Sequence, residues 1–112
     1  MFVIARDWAL RVSVRAQLRE LGIEALGMES AEDAGRSLAE GQMPSAVVFG
    51  ATAGIADQDS IRDLIRRVPA VLVASRTETV DLPPVAEVFY RPVRVGEIVD
   101  KVRKILGAGP TA

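Results

Sequence analysis

Neither cysteine nor histidine occurs among the 112 residues of the chain. Without cysteine there are no disulfides, thiolate metal sites or sulfur nucleophiles. Without histidine there is no imidazole base, no phosphohistidine and no histidine–metal chemistry. No apolar stretch approaches the roughly 20 residues that span a membrane. Arg6 and Asp7 break the apolar run at the start, so it does not read as a secretion signal. An excess of either charge is missing too: 14 Lys and Arg stand against 15 Asp and Glu. That balance gives no electrostatic case for nucleic acid or an anionic membrane. Gly50 and Gly54 lack the spacing of a Walker or dinucleotide loop, and no paired carboxylates suggest acid–base work. The expectation is a cytoplasmic protein that is not an enzyme and carries no cofactor or metal.

What is present is a chain with 49% apolar residues, which argues against disorder. Its length suits one domain, burying about 65% of the surface its unfolded chain exposes. Short apolar runs alternate with helical periodicity. Phe2 to Ala5 reads as a buried strand, followed by Leu10, Val14, Leu18 and Leu21 at helical spacing with Gly22 as a stop. Arg11, Arg15 and Arg19 form a stripe on another face of that helix, read as solvated, with a basic docking surface as the alternative. Trp8 is read as covering a sheet edge, with an exposed contact spot as the alternative.

Ile23 to Met28 is a weak strand, and Ser30 caps the helix after it, with Ala34 and Leu38 facing inward. Ala46 to Phe49 is a continuous, β-branched run of the kind found in a central parallel strand. Ser60 with Asp63 resembles a capping box ahead of Ile61, Leu64, Ile65 and Val68. Ala70 to Ala74 and Val88 to Tyr90 are two more strands. Between them Pro83-Pro84 argues against a full helix. Phe89 and Tyr90 should point to opposite faces. Val95, Ile98, Val102 and Ile105 mark a last helix closed by Gly107. Residues 1–107 read as the domain and 108–112 as a flexible tail.

Five strands alternating with helices predict a parallel sheet, in the order 2-1-3-4-5. In such a sheet, ligands sit beyond the carboxyl ends of the strands, where strands 1 and 3 diverge. Arg6, Asp7 and Gly50 fall there, and Ser75 and Arg91 border the same crevice.

The segments Ser30–Ala34, Leu38–Glu40, Pro44–Phe49, Val71–Ser75 and Tyr90–Pro92, in this order and spacing, resemble a bacterial response-regulator receiver domain along nearly the whole chain. The resemblance implies a flavodoxin-like αβα sandwich. It also places the family's functional positions. The phosphate-accepting aspartate corresponds to Gly50, and the magnesium-holding acids to Ala5 and Arg6, with Asp7 one position later. The phosphoryl-contacting hydroxyl is retained as Ser75. The lysine before proline becomes Arg91, and the aromatic switch position becomes Val88. The bond Arg91-Pro92 matches a family peptide that is often cis. The helix between the fourth and fifth strands reads as shortened or missing, which puts in doubt the family's usual output surface.

Glycine offers no nucleophile, and Arg6 would repel magnesium, which needs hard oxygen ligands. Asp57 and Asp59 lie too far along the loop to substitute. The residues therefore suggest a degenerate receiver of the two-component type, signalling through a protein partner without phosphorylation. The alternative is a small-anion or metabolite site built from Arg6, Ser75 and Arg91, with Gly50 leaving room. Against that, Arg6 could extend into solvent or pair with Asp7 or another acid, and Arg91 could only brace the loops. Dimerisation is common in the family, so a homodimer stays among the expected partners.

Overall fold

The computed structural model of the protein describes residues 1–52, 58–77 and 82–107. The elements follow in the order β1 (Phe2–Ile4), α1 (Trp8–Glu20), β2 (Leu26–Met28), α2 (Ala31–Ala39), β3 (Val47–Gly50), α3 (Asp59–Arg67), β4 (Ala70–Ala74), β5 (Glu87–Tyr90) and α4 (Val95–Leu106). All strand pairs are parallel, in the order β2-β1-β3-β4-β5, as expected. The described residues hold four helices, and none lies between β4 and β5. The tail, Asp57 and most of the loop after β3 lie outside the described residues.

Alternation along each strand sorts the apolar side chains into two cores. Phe2, Ile4, Val47, Phe49 and Leu72 pack against α2 and α3 with Ile61 and Leu64. Val3, Ala5, Val48, Val71 and Val73 pack against α1 and α4 with Val14, Leu18 and Ile98. Strands β3 and β4 are buried on both faces, which explains their unbroken apolar runs. Each fully buried Leu, Ile or Phe contributes about 1.5–3 kcal/mol through removal of its surface from water. In β5, Val88 joins the first core and Phe89 the second, while Tyr90 stays exposed under the Arg76 guanidinium, 5.1 Å from the ring centre.

Local signals explain most helix ends. Ser30 Oγ accepts from the Asp33 backbone N–H at 3.2 Å, the predicted cap of α2. Gly22 and Gly41 take positive φ just past α1 and α2, where an L side chain would be strained. The Glu97 carboxylate accepts from the Arg94 N–H at 3.3 Å at the start of α4.

Four expectations are corrected, the last being that of the α1 arginines. Ser60 does not cap α3: the helix starts two residues earlier than that cap would place it, with Gln58 at the cap position and no side-chain bond. Asp63 pairs instead with Arg66, at 2.8 Å. Leu21 is not an inward residue of α1 but its exposed C-cap, because the helix ends one residue short of completing that turn. Trp8 does not cover a sheet edge. It is 67% exposed on the face of α1 turned away from the buried Leu10, Val14 and Leu18.

The arginine stripe of α1 is neither a fully solvated face nor a free basic surface. Arg11 donates to the Ala5 carbonyl at 2.7 Å, and Arg15 donates through Nε to the Ala25 carbonyl at 3.1 Å. Their stems cross strand β2 above Gly27. A Cβ there would meet Arg11 Cγ at 3.3 Å and Arg15 Cδ at 3.5 Å. Gly27 thus makes room for two arginines that tie α1 to the backbone around β1 and β2. Only Arg19 is left exposed.

Candidate functional site: the carboxyl ends of the strands

Strand β1 is followed by Ala5, whose N–H continues the sheet by donating to the Met28 carbonyl at 2.9 Å. Ala5 is buried, and its neighbour in register is Gly50, the last residue of β3. A Cβ built on Gly50 would lie 3.7 Å from Ala5 Cβ, an ordinary contact. The floor of the crevice is therefore one methyl group and one bare backbone. It presents no carboxylate, and neither residue donates through a side chain.

Asp7 carries the carboxylate nearest this floor in sequence, and both its oxygens are engaged. Oδ1 accepts from the Leu10 N–H at 3.2 Å, capping α1. Oδ2 lies 3.1 Å from an Arg91 guanidinium nitrogen. The Leu10 hydrogen bond is the main cause that holds the Asp7 carboxyl below its ordinary value. Arg91 adds to the effect, and slight burial opposes it. The cap was open to sequence reading, because Asp directly before a helical period is a start signal. The pairing with Arg91 was not, because it joins the loops after the first and fifth strands.

The other residues expected at the site are distributed along the same end of the sheet. Arg91 follows β5, and its N–H donates to the Ala74 carbonyl at 2.8 Å. The Arg91–Pro92 peptide is cis. Ser75 follows β4, with its Oγ 3.1 Å from Thr77 Oγ1. Arg6 is exposed and takes part in none of the ion pairs of the described residues. The fold thus brings Asp7 and Arg91 into contact and sets Ala5 against Gly50. The partner expected for Asp7 was Arg6; the structure shows Arg91 instead. Val88, expected at the aromatic switch position, is half-buried against the α2/α3 core.

Among the described residues no group of three acidic side chains is placed to hold a metal ion. No described helix is long and apolar enough to cross a membrane.

No protein-family model matches the chain, and no curated protein does. Solved structures do. The N-terminal domain of a response regulator/sensory box/GGDEF three-domain protein from Carboxydothermus hydrogenoformans matches with a TM-score of 0.76 at 12% identity, over 96% of this chain and 93% of that one. A CheY-like response regulator receiver domain protein from Methanospirillum hungatei JF-1 gives 0.76 at 14%, over 96% and 93%. A response regulator receiver protein from Burkholderia phymatum gives 0.70 at 17%, over 95% and 94%. At these identities the likeness is one of fold: the chain has the CheY-like receiver fold.

Proposed function

We propose that the chain is a receiver-type signalling module that acts through protein–protein contact and does not accept a phosphoryl group. The observation that carries this reading is the crevice floor. Ala5 and Gly50 meet there, the positions that the resemblance assigns to the acids of a phosphate-accepting site. Asp7, two residues beyond Ala5, is committed to capping α1 and to Arg91. Attack on phosphorus requires a free nucleophile, and magnesium requires oxygen ligands that offset its charge. A cytoplasmic place accords with this role.

The test is incubation with a small-molecule phosphodonor and magnesium, read by intact mass. The expected result is no mass gain, and an acid-stable, base-labile phosphoryl adduct would overturn the reading. A second variant sharpens it. A Cβ at Gly50 meets nothing closer than 3.7 Å, so Gly50→Asp should fold. Restoring this one carboxylate should leave phosphorylation weak, because Ala5 and Arg6 still supply no metal ligand.

A second reading, binding of a small anion at the same end of the sheet, is favoured by one feature: the exposed guanidinium of Arg6 has no ion-pair partner among the described residues. It draws less support from Arg91, whose charge Asp7 already balances. Amide spectra recorded during a phosphate titration at constant ionic strength test it. Saturable shifts at Arg6, Gly50, Ser75 and Arg91 would support it, and their absence would remove it.

A further inference from the structure

We propose that the opposite, amino-terminal end of the sheet holds a binding site for a small carboxylate with an apolar body. The site does not rest on the signalling reading. A cavity of about 350 Å3 opens there, lined by Phe2, Arg15, Arg19, Leu26, Met43 and Pro44 among others. Its size falls at the lower end of the range for small-molecule sites. Arg15 and Arg19 lie one turn apart on α1 and so project from the same side of the helix. Arg15 is fixed in place: its Nε donates to the Ala25 carbonyl at 3.1 Å, and its stem lies over Gly27. That bond uses Nε, and the terminal nitrogens remain for a ligand. A guanidinium already ordered loses little entropy when it binds a carboxylate. Arg19 is exposed and joins none of the ion pairs of the described residues.

The apolar half of the site is also uncovered. Met43 is 59% exposed and Leu26 is 40% exposed, next to the buried Phe2 and Pro44. An apolar body laid across Leu26 and Met43 would remove that surface from water. The carboxylate would meet the two guanidiniums. Glu24 also lines the cavity, which disfavours a second negative charge on its side.

The experiment is an amide NMR titration of the labelled protein with octanoate, octanol and acetate in parallel, at constant ionic strength. Octanoate should give saturable shifts grouped at Phe2, Ala25 to Gly27 and Gln42. Octanol, which lacks the charge, and acetate, which lacks the body, should each bind at least about tenfold more weakly. Arg19→Gln alters an exposed side chain and should leave the fold intact. It should weaken octanoate by about tenfold, the effect of losing a charged hydrogen bond. Met43→Ser should weaken octanoate while leaving acetate unchanged. The proposal is overturned if octanoate gives no saturable shifts, if octanol matches it, or if Arg19→Gln binds as well as the unsubstituted protein. Shifts grouped instead at Arg6, Gly50, Ser75 and Arg91 would also overturn it.

Discussion

Asp7 links two loops that lie far apart in the chain, and its chemistry can be divided by substitution. One oxygen caps α1 and the other meets Arg91. Asp7→Ala removes both contacts and should cost about 1 kcal/mol, mostly from the lost cap. Asp7→Asn keeps an acceptor for the Leu10 N–H and loses the charge, so it should cost less. The ion pair is partly exposed, and such pairs contribute about 0–1 kcal/mol. The pH dependence has a definite sign. The folded protein holds the Asp7 carboxyl below its ordinary value. Its charged form therefore stabilises the fold above the unfolded carboxylate value of about 3.9. That contribution is lost as pH falls below this value and through the lower folded one. Urea unfolding at neutral pH should separate the protein from Asp7→Asn, and the gap should narrow as pH falls below about 3.9 and close through the lower folded value. A gap that is constant with pH would mean that the carboxylate charge has no part in stability.

At the scale of elements, two glycines of similar appearance in the sequence have opposite roles. Gly27 in β2 lies under Arg11, which is itself held by the Ala5 carbonyl at 2.7 Å. The arginine stem is not free to withdraw from a new methyl group 3.3 Å away. Gly27→Ala should therefore destabilise by about 1 kcal/mol, with overpacking outweighing the entropic gain. Gly96 in the first turn of α4 has nothing within 4 Å of an added Cβ. Gly96→Ala should stabilise by about 0.5 kcal/mol. Likewise, Gln58 caps α3 with no side-chain bond, and Gln58→Ser should stabilise by about 0.5–1 kcal/mol. Thermal melts of the three variants check these directions. The elements themselves were legible because their signals repeat: β-branched runs in β3 and β4, and apolar residues every three or four positions in α1 and α4. Single positions were not. Whether Leu21 still belongs to the last turn, or Ser60 to the cap, depends on a shift of one or two residues that packing decides. The Asp7–Arg91 contact was illegible for a different reason: it spans most of the chain, and no local pattern encodes it.

On the scale of the whole molecule, the sheet separates two apolar cores that share no side chain. This separation was also readable in advance for the strands, because alternate residues must face opposite layers. It bears on function. If the molecule signals as proposed, through a fixed surface with no phosphoryl group to trigger a change, it has no need to transmit strain from one layer to the other. Ile61 on α3 and Ile98 on α4 are fully buried in different cores. Replacing each with Val removes one methylene and should cost about 0.5–1.5 kcal/mol. Sites without shared partners usually add to within about 0.5 kcal/mol. Urea unfolding of both single variants and of the Ile61→Val/Ile98→Val double variant measures the coupling. Additive costs would mean that the two layers respond independently, as a fixed docking module allows. A coupling well beyond that margin would mean that the sheet carries strain between the layers. The molecule would then have the means of a conformational switch, against the reading proposed above.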